Sequence, residues 1–244
     1  MNKRRAIQVE ISGNLREIIE ALVQAGLYES ATEIVREALR HFFSNRELFM
    51  NAAINMYVNS KATIHLVSKL ASSNIEDIII NLINRRLFPQ LGSNRANKID
   101  TLDKAVIDVL TLSILYSIKK TAILKKSRGI DLYTCLSLRN EVSFYLMEYN
   151  NIINFIECDS INLKGASIQE GELVWLSKKL NMPLLTPDMK LREKVTEMGL
   201  KAIDITDFIY YLYSRKNIDE NEAKSVFIAL RSYPIYVPEE YVNE

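Results

Sequence analysis

The chain has 244 residues, of which 48% are hydrophobic and 25% charged, and its 31 basic and 30 acidic side chains leave a formal net charge of +1. This ordinary balance excludes a disordered chain, a collagen-like fibre and a disulfide scaffold. The most apolar runs, residues 75–87 and 105–118, contain charged residues and are shorter than the roughly 18–20 apolar residues of a membrane span. The basic residues 1–5 lead into an alternating pattern, so we expect a cytoplasmic protein with no secretory signal and no membrane partner.

Cysteine and histidine are scarce, with Cys135, Cys158, His41 and His65 as the complete set. Their spacing does not match a zinc finger or a zinc ribbon. We interpret both cysteines as small buried hydrophobic residues. Because no histidine follows His65, a hydrolytic site in the second half of the chain would have to use carboxylates, which disfavours Ser-His-Asp and Cys-His mechanisms there.

The first regular pattern is a short alternating run at residues 7–11, with an apolar residue at every second position. Such alternation predicts a half-buried strand. From Leu15 the apolar residues recur at helical spacing as far as Gly26, and residues 30–33 carry the capping-box signature that begins a second helix. One strand with two helices cannot satisfy the backbone groups of the strand, so we expect this unit to pair with a second copy.

These segments resemble the ribbon-helix-helix family of DNA-binding proteins over roughly residues 3–43. The entry to the second helix reads Gly26-Leu27-Tyr28-Glu29-Ser30-Ala31-Thr32-Glu33-Ile34-Val35-Arg36-Glu37-Ala38-Leu39-Arg40. The resemblance implies that two strands pair as a ribbon in the major groove, while basic residues and the start of the second helix contact phosphates. The implied DNA-binding residues are Lys3, Arg4, Arg5, Ala6, Gln8, Glu10, Ser30 and Thr32. An acidic Glu10 costs electrostatic affinity, and a dimerisation module without DNA binding stays the alternative.

The next segment, residues 47–91, has helical patterns on both sides of a turn at residues 72–74. Ser73 and Glu76 have capping-box spacing, which predicts the start of a helix. Through Asn59-Ser60-Lys61-Ala62-Thr63 and Val67-Ser68-Lys69-Leu70-Ala71, the segment resembles the helix-turn-helix of a small prokaryotic antitoxin family. The resemblance implies a second DNA reader. A purely architectural pair of helices is the alternative.

A polar stretch at residues 92–104 predicts a linker. Beyond it, short apolar runs alternate with helical patterns. This alternation predicts an α/β domain over residues 105–244, with a parallel sheet between helices. The predicted strands are residues 105–110, 132–136, 152–156, 183–185 and 202–205.

Four acidic residues lie in the first predicted strand or shortly after the next three, namely Asp108, Glu141, Glu172 and Asp188. In an open parallel sheet the functional site lies beyond the carboxyl ends of the strands, so we expect these side chains to converge. Converging carboxylates repel one another unless a hard cation such as Mg²⁺ or Mn²⁺ neutralises them. Such an ion can activate water for phosphodiester cleavage. Taken singly, each acid is better interpreted as a solvated residue at a helix end, and only the ordered set of four favours a site.

This ordered set resembles the PIN-domain ribonucleases, in particular the PIN-like toxins, over roughly residues 104–242. Its strongest parts are Gln169-Glu170-Gly171-Glu172 and Pro183-Leu184-Leu185-Thr186-Pro187-Asp188. The resemblance implies that the four acids are catalytic residues that hold Mg or Mn, and that Lys190 or Arg192 steadies RNA phosphates. The family places Ser or Thr after the first Asp, whereas this chain has Val109 and Leu110, so a weakened or inactive nuclease stays open.

The sequence thus predicts a multidomain chain with a ribbon-helix-helix domain at residues 1–46, a helical connector at 47–91, a linker at 92–104 and a PIN-like domain at 105–244. Three functions stay open. The first, favoured by Val109 and Leu110, is a homodimeric and autoregulatory transcription regulator of toxin-antitoxin type that binds duplex DNA. The second, favoured by the four acids, is a Mg- or Mn-dependent endoribonuclease that cleaves single-stranded RNA. The third is a nucleoid or scaffold protein. Oligomers larger than the dimer also stay open.

Overall fold

The computed structural model describes residues 10–59, 62–146 and 151–243. The chain forms two compact units, one ending at Phe49 and the other beginning at Met50. None of the helices in the described ranges is long and apolar enough to cross a membrane.

The helices are α1 (Asn14–Gln24), α2 (Ala31–Ser44), α3 (Arg46–Asn59), α4 (Ile64–Ala71), α5 (Ile75–Asn84), α6 (Val109–Ser117), α7 (Arg139–Tyr145), α8 (Ile168–Leu180), α9 (Met189–Glu197), α10 (Ile205–Ser214), α11 (Glu220–Ser232) and α12 (Glu240–Asn243). The strands are β1 (Lys104–Ile107), β2 (Asp131–Cys135), β3 (Ile153–Ile156), β4 (Leu184–Leu185) and β5 (Ala202–Ile203).

The first unit contains both helices that its apolar spacing predicts. Gly26 follows α1 with a φ of 69°, a left-handed conformation that ends the helix. Ser30 caps α2 by accepting a hydrogen bond from the Glu33 N–H, but the Glu33 carboxylate accepts from Glu29 N–H, so the reciprocal half of the predicted box is absent. No residue of α1 or α2 is buried. The predicted strand falls mainly on residues 7–9, outside the described residues, and residues 10–11 are not in a strand.

The second unit begins with a helical part, in which α4 and α5 meet at the predicted turn. The cap of α5 is one residue later than the sequence suggests. Asn74 accepts a hydrogen bond from Asp77 N–H at 2.7 Å, and Ser73 instead donates its hydroxyl hydrogen to the Asp77 carboxylate at 2.9 Å. The predicted Ser73 box is therefore wrong, because an asparagine side chain caps as well as serine and here starts the helix one position later.

The rest of the second unit is an α/β structure whose strands form one parallel sheet in the order β3-β2-β1-β4-β5. All five predicted strands are present. The first is shorter than expected, because the buried strand ends at Ile107 and the next residue, Asp108, caps α6. In α6 the residues from Val109 to Leu115 are all buried, as a helix covered on every side requires. The sheet therefore brings the carboxyl ends of β1 and β4 side by side.

The polar segment at residues 92–104 is bonded along the α/β structure. Gly92 N–H donates to the Pro187 carbonyl at 2.8 Å, and Asn97 N–H donates to the Asp207 carboxylate at 3.0 Å. Leu102 is buried, and its N–H donates to the Tyr211 hydroxyl. The polar residues that predicted a linker therefore belong to a segment whose backbone N–H groups donate hydrogen bonds to the α/β structure.

The two cysteines form a disulfide, which corrects their interpretation as separate hydrophobic residues. Cys135 ends β2, and its register partner on β3 is Ile156. Cys158 lies two residues beyond that partner, which brings the two Cα atoms to 5.7 Å. The sequence separation of 23 residues hid this proximity, because only the parallel pairing of β2 with β3 creates it.

Candidate carboxylate site

Asp108 lies directly beyond β1 and is almost fully buried. One carboxylate oxygen accepts a hydrogen bond from Leu110 N–H at 3.2 Å and so caps α6. The other accepts from the Thr186 hydroxyl at 2.6 Å. Burial raises the pKa of Asp108, and the Thr186 hydrogen bond and the charge of His65 oppose this rise. Thr186 thus supplies a hydroxyl beside the first acid, where Val109 and Leu110 cannot.

Asp188 lies three residues beyond the end of β4, the strand next to β1. It is fully buried and caps α9, because its Oδ1 accepts from Lys190 N–H at 2.9 Å and from Leu191 N–H at 3.3 Å. Its Oδ2 accepts from Ile64 N–H at 2.9 Å, at the start of α4. Burial raises the pKa of Asp188 to about 6 despite these donors, and the charge of Asp108 adds to the rise.

The third acid of this group is Glu170, which the sequence analysis did not select. Glu170 is 1% exposed, and its Oε2 accepts from Ser167 N–H at 2.6 Å and from the Thr63 hydroxyl at 2.7 Å. Burial raises its pKa to about 8, with further contributions from Asp188 and Asp108. The sequence signal was present, because Ser167 and Glu170 have capping-box spacing, and the structure forms the complete box.

The other two predicted acids lie differently. Glu141 is partly exposed, accepts from the Gln169 side-chain amide at 3.2 Å and lies 3.6 Å from the Lys69 ammonium. Its charge acts on Asp108, so it is electrostatically linked to the buried group. Glu172 is partly exposed on α8 and accepts a hydrogen bond from the Ser137 hydroxyl. The structure thus brings together Asp108, Asp188 and Glu170, with Glu141 at the edge.

Helix α4 contributes a histidine to the same region. His65 is 6% exposed, and its Nε2 lies 3.1 Å from the Gln169 side-chain oxygen, the geometry of a donated hydrogen bond. Its Nδ1 is buried and has no hydrogen-bond partner among the described residues. The spacing of histidines gave no indication of this placement, since His65 comes from a helix about 40 residues before Asp108.

The two basic residues predicted to steady RNA phosphates both contact their own chain. The Lys190 ammonium donates to the Tyr57 carbonyl and lies 4.1 Å from the centre of the Tyr57 ring. Arg192 donates to the carbonyls of Thr186 and Gly92 and is paired with Asp204. Their role toward RNA stays a prediction.

Of the predicted DNA-binding residues, Lys3, Arg4, Arg5, Ala6 and Gln8 lie outside the described residues. Glu10, Ser30 and Thr32 are exposed. Ser30 uses its hydroxyl oxygen to cap α2, and the contact of these residues with DNA stays a prediction.

The chemistry of the buried acids suits Mg²⁺ or Mn²⁺, but their arrangement does not. Hard carboxylate oxygens are the donors that these cations prefer. However, no three His, Cys, Asp or Glu side chains come together as a metal-binding group anywhere in residues 10–59, 62–146 and 151–243. Both oxygens of Asp108 and of Asp188 already accept hydrogen bonds from the protein. In this conformation the residues do not fit a bound cation.

No protein-family model matches the chain, and no curated protein matches it. Among solved structures, the chain is similar to a PilT N-terminus domain protein from the hyperthermophilic archaeon Sulfolobus solfataricus, with 16% sequence identity and a TM-score of 0.37. The match covers 45% of this chain and 93% of that protein.

Proposed function

We propose that the chain is a homodimeric DNA-binding transcription regulator of toxin-antitoxin type, in which a PIN-like α/β domain follows the DNA-binding unit. The observation that supports this function best is the exposure of the first unit. Its helices bury no residue, and large apolar side chains such as Leu15, Leu39 and Phe43 are 47–65% exposed. A unit of this kind gains a core when a second copy covers it, and a dimer presents the basic N-terminal residues twice to duplex DNA.

The test is DNA binding by the full chain and two variants. Gln8→Ala should reduce the preference for the operator by roughly 1–3 kcal/mol, because glutamine reads base edges. Arg4→Ala should weaken binding to all sequences alike, because arginine at this position contacts phosphates. The measurement is fluorescence anisotropy with an operator fragment and with random duplex at two salt concentrations. If the wild type is a dimer but binds neither duplex, DNA binding is contradicted and the first unit is a dimerisation module.

The second candidate is a Mg- or Mn-dependent endoribonuclease that acts on single-stranded RNA. The observation that favours it is the grouping of Asp108, Asp188 and Glu170 at the carboxyl ends of neighbouring parallel strands and on α8. Grouping three acids that repel one another costs free energy of folding. Such groups, with strongly raised pKa values, are typical of functional sites. This candidate requires a divalent cation to supply an activated water, and the described arrangement of these acids does not accommodate one.

Two glutamates on one helix give the nuclease candidate a matched test. Asp108→Asn and Asp188→Asn should each abolish metal-dependent cleavage of single-stranded RNA, because each removes a charge from a site that depends on several. Glu170→Gln should also abolish cleavage if the buried acids form the site. Loss of cleavage in Glu172→Gln but not in Glu170→Gln would instead favour a site that contains Glu172. Cleavage that persists in EDTA, or in both Asn variants, contradicts a carboxylate metal site.

A further inference from the structure

The amino ends of β1 and β2 border a cleft at the edge of the sheet opposite the carboxylate site. Leu102 and Asp103, before β1, form one wall, and residues 128–130, before β2, form a second. The end of α10 forms the third wall with Tyr211 and residues 214–217. The cavity has a volume of about 340 Å³, which is at the lower end of the range for small-molecule sites.

Hydrogen bonds fix the three walls of the cleft against one another. The Asn217 side-chain amide donates to the carbonyls of Lys126 at 2.7 Å and of Arg128 at 3.2 Å. Leu102 N–H donates to the Tyr211 hydroxyl at 3.1 Å, and both of these residues are buried. The cleft is therefore a fixed part of the folded structure.

Three basic side chains line the cleft, namely Arg128, Arg215 and Lys216. All three residues are exposed, and none of their side chains forms an ion pair or a hydrogen bond with another residue that the structure describes. By contrast, Lys126, two residues before Arg128, forms an ion pair with Glu222 at 2.5 Å. The cleft thus gathers cationic groups that the protein itself does not neutralise.

The end of a helix does not by itself account for Arg215 and Lys216. Basic side chains at this position commonly donate to the last carbonyl oxygens of the helix. In α10 the carbonyls of residues 211–213 already accept hydrogen bonds from the backbone N–H groups of residues 215–217. The side-chain donors of Arg215 and Lys216 therefore stay available to another acceptor, and Arg128 joins them from a different segment of the chain.

The chemistry of the lining indicates what this acceptor is. Guanidinium and ammonium groups together are the usual ligands of phosphate oxygens, and a phosphate group carries close to two negative charges. The cavity is larger than one phosphate group, and Leu102, Ile130 and Tyr211 give it apolar walls that suit an attached organic group. The Asp103 carboxylate is an acceptor for hydroxyl groups, such as those of a sugar.

We propose that this cleft binds the phosphate group of a small molecule, with Arg128, Arg215 and Lys216 donating to the phosphate oxygens. The four residues of β1, about 13 Å of extended chain, separate the cleft from Asp108. The site is therefore distinct from the carboxylate site and independent of both candidate functions.

Two variants of the cleft and two matched controls test the proposal in the full chain. Arg128→Gln and Lys216→Gln each remove one charge from the lining. Lys119→Gln is the control for Lys216→Gln, because both lysines are exposed and have nearly the same left-handed φ, 57° and 59°. Arg86→Gln is the control for Arg128→Gln, because Arg86 is an exposed arginine that does not line the cleft.

The probes are pyrophosphate, ADP and adenosine, and isothermal titration calorimetry in EDTA measures their binding. Pyrophosphate and ADP should bind the wild type, whereas adenosine, which has no phosphate, should not. Each cleft variant should weaken the binding at least about 10-fold, the effect of losing one charge-assisted contact, and each control should leave it unchanged. Tighter binding of ADP than of pyrophosphate would identify an organic phosphate as the ligand, and equal binding would identify an inorganic one.

Hydrogen exchange locates the bound probe, because pyrophosphate should slow exchange at residues 127–130 and 214–217. Failure of both pyrophosphate and ADP to bind the wild type at about 1 mM would overturn the proposal. Equal weakening in the controls would overturn it as well, since general surface charge would then account for the binding. Binding of single-stranded RNA that depends on Arg128 and Lys216, without binding of either small phosphate, would replace it with a nucleic-acid surface.

Discussion

Glu170 and Glu172 show how strongly environment separates two identical side chains on one helix. Glu170 faces the sheet and lies among Asp108, Asp188 and the start of α4, whereas Glu172 faces outward toward Ser137. Two residues along a helix correspond to about 200° of rotation, so neighbours at this spacing lie on nearly opposite faces. The buried position changes the chemistry of the carboxyl group, since it favours the neutral form at neutral pH.

The raised pKa of Glu170 predicts that the protein loses stability as the pH rises. The unfolded chain releases this proton near the ordinary value of 4.5, while the folded protein retains it up to about 8. Stability from this group is therefore complete below pH 4.5 and is lost between there and pH 8. At about 1.4 kcal/mol per pH unit the loss is on the order of 5 kcal/mol. Urea unfolding from pH 5 to pH 9 in EDTA measures it.

Glu170→Gln is the variant that isolates this effect. Its amide oxygen can still accept from Ser167 N–H and the Thr63 hydroxyl, but the residue no longer titrates. The free energy of unfolding of the variant should depend less on pH over this range than that of the wild type. Glu172→Gln serves as the control. Parallel pH profiles for the wild type and Glu170→Gln would contradict a buried, proton-retaining carboxyl.

At this scale the sequence identified Asp108, which lies in the first predicted strand, and Asp188, which comes shortly after the fourth. It did not identify Glu170, His65 or Thr63 as neighbours of these acids. The spacing of Glu170 from Ser167 is that of a capping box, which accounts for a glutamate at this position without a functional role. The sequence therefore did not indicate that Glu170 lies beside Asp108 and Asp188. Thr63 and Glu170 are 107 residues apart, and only the packing of α4 against α8 brings them together.

Among the elements, the segment from Gln90 to Gly92 connects the helical part to the α/β structure. Leu91 forms an antiparallel bridge with Asp188, and Gly92 forms a parallel bridge with Tyr236. Gly92 has a φ of 79° and so close a contact with the C-terminal part that a Cβ atom would lie 2.2 Å from the Tyr236 carbonyl oxygen. This position requires glycine both for its backbone conformation and for its lack of a side chain.

Gly92→Ala should therefore lower the free energy of unfolding by more than backbone strain alone explains. Gly129→Ala is the matched control, because Gly129 has a similar φ of 83° and nothing within 4 Å of the added Cβ. We expect about 1 kcal/mol for Gly129→Ala and about 2–4 kcal/mol for Gly92→Ala, since the latter adds a clash with the backbone. Chemical denaturation of both variants provides the comparison, and equal losses would show that Tyr236 moves aside freely.

The elements were the most predictable level of the structure. The five strands follow from continuous apolar runs, because a parallel sheet covered on both faces needs them. Helices α1, α2, α4 and α5 follow from apolar residues at helical spacing, whereas the start of α6 was assigned to the first strand. Boundaries were less certain where two capping residues adjoin, as at Ser73 and Asn74. The polar residues 92–104 predicted a spacer, yet their backbone donors contact Pro187, Asp207 and Tyr211, which no local pattern reveals.

At the scale of the whole molecule, the two units differ in how they satisfy their apolar residues. The second unit has an extensive buried core, in which Phe208, Phe227 and Ile107 are examples of fully buried side chains. The first has no buried residue in α1 or α2, and its aromatic cluster of Phe42, Phe43 and Phe49 has ring centres 5.2–5.7 Å apart at the end of α2 and the start of α3. Phe42 and Phe43 are 51% and 62% exposed.

This difference predicts that the proposed dimer depends on the first unit. Burying a phenylalanine side chain contributes about 1.5–3 kcal/mol, so replacing Phe42 and Phe43 with serine should weaken dimerisation by at least about 3 kcal/mol, or roughly 100-fold in Kd. DNA binding should fall with it, because one ribbon requires two strands. Sedimentation velocity at several concentrations measures the dimer, and His41→Ser, also exposed on α2, is the control.

The thermal transition of the second unit should stay unchanged in the double variant, since the core of that unit contains neither phenylalanine. A double variant that remains dimeric at every concentration would place the interface outside the first unit.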